Sequence, residues 1–256
     1  MFPKALIEAL KETNKAYAVS RSLKHKCSKG GVVLFDDVRD NLHPESYARI
    51  EANEAWRIRL LKKHTKVSGT VELASSNSSD ALLMSIFCHP KMREWKGPRK
   101  LIGVDSFEDL TFGYHPEFPN EAYRRGTEID LKIGDRVYIE SKLTERDFTA
   151  KDKKIVMGYS EFSKVFVTEI LPKTDTKYEN YQLIRNILAI WKQSTSTRFV
   201  LLCDGRRPDL LRRFAQTVCA IRDAGLRARC SVFFWQELAG CVGDDLKEFL
   251  AAKYGL

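Results

Sequence analysis

Between Glu128 and Lys142 the chain reads Glu-Ile-Asp-Leu-Lys-Ile-Gly-Asp-Arg-Val-Tyr-Ile-Glu-Ser-Lys, and no other segment narrows the fold so far. Ile129, Leu131, Val137 and Ile139 alternate with the ionisable Glu128, Asp130, Glu140 and Lys142, the period of two strands each with one apolar and one charged face. Gly134-Asp135 supplies the turn of a hairpin, and the register then decides whether the charges meet. A two-residue turn pairs Asp130 with Ile139 and sends Asp130 and Glu140 to opposite faces. A three-residue loop of Ile133, Gly134 and Asp135, with glycine in a left-handed conformation, pairs Asp130 with Tyr138 and Ile129 with Ile139. Asp130, Glu140 and Lys142 then share one face and the four apolar residues the other; this is the register expected.

The rest of the chain alternates helix and strand. Residues 3–24 read as an amphipathic helix, residues 44–66 as a helix entered through Pro44, and residues 79–87 as a helix capped by the Ser76–Ser79 cluster and stopped by His89-Pro90. Strands are expected at 107–114, 127–133 and 136–143, followed by a charged loop at 145–154 and a short helix at 159–166. A helix at 178–193, a strand at 198–203, a helix at 208–224 ending at Gly225, a strand at 228–234 and a helix at 243–253 complete the order. That order predicts an α/β fold, a mixed sheet flanked by helices, with a basic N-terminal helical extension over 1–40 and a single domain over 41–256.

Two carboxylates and a lysine on one packed face need a compensating charge. A divalent cation supplies it, and Mg²⁺, which takes oxygen ligands and shares them with substrate phosphate, suits an Asp/Glu pair, with Mn²⁺ as an alternative. A solvated face with cross-strand ion pairs is the plainer reading, and acid-x-Lys recurs at Glu94-Trp95-Lys96, Asp152-Lys153-Lys154 and Asp245-Leu246-Lys247. Context distinguishes the hairpin, because an aspartate ten residues upstream lies in the opposing strand. The net charge is +9, and it is uneven: residues 1–30 hold seven Lys/Arg against two Glu, and residues 192–230 hold nine against three Asp. Basic ends favour a polyanion, with Arg206, Arg207, Arg212 and Arg213 around the start of the helix at 208 as candidate phosphate contacts.

Other chemistries are poorly supported. The six cysteines form no CxxC pair and sit largely in apolar runs, so they are expected reduced and mostly buried. The five histidines are scattered, and Cys88-His89 reads as a helix end rather than a zinc pair. There is no phosphate-binding glycine loop, no nucleophile elbow, and no apolar run long enough to cross a membrane; the chain is expected to be cytoplasmic.

The residues resemble the PD-(D/E)XK nuclease superfamily, with Asp130 as the first acid and Glu140-Ser141-Lys142 as the second part of the motif. A closer similarity is to the bacterial restriction-endonuclease-like group: Ser78-Ser79-Asp80-Ala81 resembles its Ser-Ser-Gln-Ala helix start, and Tyr181-Gln182-Leu183-Ile184-Arg185-Asn186 its Gln-Leu-x-Arg-Asn helix. Asp80 departs from the expected glutamine. The resemblance implies a restriction-endonuclease-like core of helix, three strands, helix and strand. It also implies Mg²⁺ on Asp130, Glu140 and the Ser141 carbonyl, and Lys142 beside a metal-bound water. Glu54 is carried over as an additional acid, and Gln182 and Arg185 as residues facing the site. The implied activity is hydrolysis of DNA, RNA being a weaker substrate candidate, to 5′-phosphate and 3′-hydroxyl ends. A homodimer is left open. The alternative is a nucleic-acid-binding or assembly protein that keeps the fold without catalysis.

Overall fold

The computed structural model describes residues 2–64, 69–117 and 128–256. Its centre is a five-stranded mixed sheet of β1 (Leu110–Tyr114), β2 (Ile129–Ile133), β3 (Val137–Lys142), β4 (Arg198–Cys203) and β5 (Cys230–Phe234), in that spatial order. β1, β2 and β3 are antiparallel neighbours, while β4 and β5 run parallel to β3. All six residues of β3 are buried, as the centre of a sheet covered on both faces requires. Thr127, expected to open β2, lies outside the described residues.

Alternate strand residues feed two apolar clusters. Leu131, Ile133, Val137, Ile139, Val200 and Leu202 face α1 (Phe2–Ser20), α2 (Pro44–Ala52), α3 (Ser79–Phe87) and α6 (Asp244–Tyr254). Tyr138, Phe199, Leu201 and Cys203 face α4 (Tyr181–Lys192) and α5 (Pro208–Cys219). Ile129 belongs to the second cluster, not with Leu131, Val137 and Ile139 as alternation predicted. The change comes beside Gly113, whose φ of +64° interrupts β1 between Phe112 and Tyr114, and those two residues likewise fall in different clusters.

The N-terminal helix is docked: Leu6, Leu10 and Tyr17 enter the first cluster, and Tyr17 meets Phe249 of α6 edge to face with centroids 6.1 Å apart. The stretch expected as one helix from 44 to 66 breaks at Asn53, whose side chain accepts from Trp56 N and caps a new turn, Glu54–Arg57. A 3-10 turn over Ile58–Leu61 follows, and residues 65–68 lie outside the described set. The helix at 79–87 has the expected limits; Ser78 accepts from Ala81 N, and every residue is buried. The expected helix at 208–224 ends instead at Cys219, and Gly225 sits inside a separate turn, Ala224–Ala228, capped by Asp223. Of the helix expected at 159–166 only the single turn Phe162–Val165 is helical, and a second short helix, Lys153–Met157, precedes it at the end of the expected charged loop. The cysteines are all free, but only Cys88 and Cys203 are buried, while Cys27 and Cys219 are exposed, so burial is less general than expected. No helix among the described residues is long and apolar enough to cross a membrane.

Candidate active site

Ile133 pairs with Val137, Lys132 with Tyr138 and Leu131 with Ile139. The loop is therefore Gly134–Arg136, with Gly134 at φ +50°, and the pairing is offset by two from the register expected. Within the paired stretch, Leu131–Ile133 against Val137–Ile139, an offset of two preserves the faces, which an offset of one would have exchanged. Beyond Leu131 the ladder stops, and the Asp130 side chain takes the place of a strand partner: its Oδ2 accepts from Ser141 N at 2.7 Å and from Ser141 Oγ at 3.0 Å. Arg198 N donates to Arg136 O, so the even-numbered peptides of β3 turn toward β4. The odd-numbered ones, Ser141 among them, turn toward β2, which leaves the Ser141 carbonyl on the same open edge as Asp130.

Glu140 and Lys142 project into the layer covered by α4. Lys142 Nζ donates to Glu140 Oε1 at 2.6 Å, and Asn186 Nδ2 of α4 donates to Glu140 Oε2 at 2.7 Å. The strand end is fixed from the other side by Trp235, whose Nε1 donates to Lys142 O at 3.0 Å. Burial, then the charges of Glu140 and Asp80, push the Asp130 carboxyl well above the usual carboxylate range. Burial works against the Lys142 ammonium, but Glu140, Glu145 and Asp130 outweigh it and hold its pKa above the ordinary lysine value. The site thus carries more carboxylate charge than its own lysine balances comfortably. Asn186 Oδ1 is buried with no hydrogen-bond partner, an oxygen left over beside Glu140.

Next to this centre stands a second charged group that sequence reasoning did not assemble. Arg59 bridges Asp80 (2.6 Å) and Glu128 (2.9 Å), and Lys62 reaches Glu128 at 3.1 Å and Asp80 at 3.4 Å. The two cations hold Glu128 below the usual range despite burial. Asp80, the residue that departs from the expected glutamine, is thereby the acid from the helical layer whose charge reaches Asp130, whereas Glu54 is exposed at the start of its turn.

A family model described as Restriction Endonuclease associating with ARP matches residues 10–255. The chain belongs to this family. No curated protein and no solved structure matches it. Its α/β architecture, with a mixed five-stranded sheet between helices, is consistent with a nuclease-like core.

In this restriction-endonuclease-like chain the arginines divide by environment. Arg207 is wholly buried: it donates to Leu143 O, Glu145 O and both oxygens of Asp209, bolting the segment after β3 to the start of α5. It cannot touch a phosphate, which corrects its assignment as a nucleic-acid contact. Arg206 is exposed and forked onto Asp204, Arg213 pairs with Glu179 at 3.2 Å, and Arg212 is exposed. Arg222, Arg227 and Arg229 donate to backbone carbonyls, so much of the basic stretch from 192 to 230 serves the fold. Arg185 lies half-buried over the Tyr181 ring, 4.7 Å from its centroid, and Gln182 is half-buried one turn before Asn186. Asn186 was legible in principle, since it falls four residues after Gln182 on the same helix face.

Proposed function

We propose that this chain is a metal-dependent DNA endonuclease of the PD-(D/E)XK type, hydrolysing phosphodiester bonds at the end of β3. The observation that carries the reading is the buried Glu140–Lys142 pair, 2.6 Å apart, with the Asp130 carboxyl held beside it by Ser141, the residue between the two. A structural ion pair would need no second carboxylate buried beside it, its pKa driven up by that burial and then by the charges of Glu140 and Asp80. The oxygen set fits Mg²⁺, or Mn²⁺: Asp130, Glu140 and the Ser141 carbonyl are hard donors, and the excess carboxylate charge is what a dication would neutralise. When bound, the ion supplies an acidified water and neutralises charge on the scissile phosphate.

The side chains divide the remaining work. Lys142, held charged by its neighbours, donates to the attacking water or to the phosphate oxygens as negative charge builds on them. Asn186 fixes the rotamer of Glu140 by occupying Oε2. Ser141 holds Asp130 through two hydrogen bonds from one residue. In this reading Arg206, Arg212 and Arg213, around the first turns of α5, serve as contacts to the DNA backbone, where phosphate contacts give affinity and position without reading sequence.

The test is incubation of supercoiled and linear DNA with the protein in Mg²⁺, Mn²⁺ or EDTA, beside Lys142→Ala. Cleavage that needs the metal and is lost in the variant supports the reading. Equal cutting by the variant, or none by either protein across a range of salt, leaves the non-catalytic binding protein as the better account.

A further inference from the structure

On the opposite face of the sheet three chain segments bring their starts together. His43 precedes α2, His89 caps the 3-10 turn Pro90–Arg93 that follows α3, and Asp245 lies in the first turn of α6. The two imidazole centroids are 4.9 Å apart, and one ring nitrogen of each, with a carboxylate oxygen of Asp245, all lie within 4.8 Å of one another. His89 Nε2 is 3.2 Å from Asp245 Oδ2 and 3.4 Å from Glu45 Oε2. Among the described residues no other group of three histidine, cysteine, aspartate or glutamate side chains converges so closely. His43 is 6% exposed, and its Nδ1 is buried with no hydrogen-bond partner.

We propose that His43, His89 and Asp245, with Glu45 beside them, bind one zinc-type transition-metal dication. Two imidazoles and carboxylate oxygen are the ligands such ions prefer, whereas Mg²⁺ would favour an all-oxygen set. A tetrahedral ion with bonds of ~2.0–2.1 Å holds its ligands roughly 3.3 Å apart, so closing the present cluster needs only side-chain adjustment. Both rings are buried, and an imidazole in that setting is a ligand through the lone pair of one ring nitrogen. Lys91 N now donates to His89 Nδ1 at 3.3 Å, which puts the ring proton on Nε2. Binding at Nε2 moves that proton to Nδ1 and gives up this long contact. Trp95, stacked on His89 at 4.9 Å, shields the ring from solvent. The ion would pin the start of α6 to the starts of α2 and the Pro90 turn, segments that are distant in the chain.

The full chain, prepared without an affinity metal and stripped with EDTA, is titrated with Zn²⁺ and Co²⁺ in chelator-buffered solution. Asp245→Asn, His43→Gln and Asp130→Asn are titrated beside it, and thermal unfolding is followed with and without metal. The wild type is expected to take up about one equivalent, to unfold at higher temperature when loaded, and with Co²⁺ to show the visible absorption of a four-coordinate site. Asp245→Asn and His43→Gln, each checked as folded, bind at least about tenfold more weakly, while Asp130→Asn binds like the wild type. No uptake by the wild type overturns the proposal, as does wild-type affinity in a folded Asp245→Asn or His43→Gln. Loss of the site in Asp130→Asn overturns it too. Because the readout is binding and Asp130 is the control, the result stands apart from that of the cleavage test.

Discussion

Lys142 Nζ and Glu140 Oε1 are 2.6 Å apart, and the two side chains are only 6% and 2% exposed. Two charges taken out of water stabilise little as a pair, but either one left alone is expensive. Lys142→Met should therefore destabilise the protein by about 3–5 kcal/mol, because Glu140 keeps only Asn186 as a partner. Adding Glu140→Gln should recover a large part of that loss. Urea denaturation of the two single variants and the double gives the coupling directly, and additive losses would remove the ion pair from the account.

Asp130 should behave in the opposite sense. Its carboxyl is raised well above the usual range by burial and by Glu140 and Asp80, so the fold prefers it protonated. The penalty is absent below about pH 4, the unfolded value, and grows as pH rises through the window up to the raised native value. Asp130→Asn, which can still accept from Ser141, is expected to be more stable than the wild type by about 1 kcal/mol at neutral pH, and about equal to it in acid. Denaturant midpoints for both proteins across that pH range measure the difference. The same substitution should abolish metal-dependent cleavage, the trade expected of a functional carboxylate.

The hairpin was legible because strand period and charge period coincide: one face of β3 had to be apolar, so Glu140 and Lys142 had to share the other. Its register was not legible to the residue, since loops of Ile133–Asp135 and Gly134–Arg136 give the same faces. Ile129 escaped alternation because the twist beside Gly113 comes from a neighbouring strand. Asp80, Arg59 and Glu128 could not be grouped from sequence, as they come from a helix, a 3-10 turn and a strand approach and meet only through tertiary packing. Arginine burial was equally hidden. Arg206 and Arg207 look alike in sequence, and only Asp209 and the carbonyls after β3 distinguish them.

That distinction is measurable. Arg207→Ala should lose about 3 kcal/mol or more of stability, because it strands buried carbonyls and half of an ion pair with Asp209. Arg212→Ala, on an exposed side chain, should stay within about 0.5 kcal/mol of the wild type. If α5 lies on DNA, the second variant instead weakens binding and reduces the slope of log K against log salt by about 0.9. Fluorescence anisotropy over a salt series reads the slope. An unchanged slope would take Arg212 out of the interface.

Metal affinity should climb with pH for the reason that Asp130 resists ionisation. A proton and a dication compete for the same oxygens, so below the raised pKa each unit of pH should strengthen Mg²⁺ binding by up to about tenfold, levelling off above it. Calorimetric titration of Mn²⁺ into the protein at several pH values, in buffers of different ionisation enthalpy, gives both the affinity and the proton released. In Asp130→Asn any residual binding should lose most of this pH dependence. A wild-type affinity flat from acid to neutral pH would mean that Asp130 is not a ligand.

Gly113 links the strand twist to the charged cluster. Its φ of +64° is one that an alanine adopts only at a cost of about 1–2 kcal/mol, and an added Cβ would run into the Arg59 guanidinium. Arg59 is held at that spot by Asp80 and Glu128, so it cannot move aside without leaving both carboxylates less compensated. Gly113→Ala is therefore expected to lose about 3 kcal/mol or more, beyond backbone strain alone. Placed in an Arg59→Ala background, where the collision is gone, the same substitution should lose only the strain. The difference between the two backgrounds, read from urea midpoints, isolates the contact, and identical losses would mean that backbone strain accounts for the whole effect.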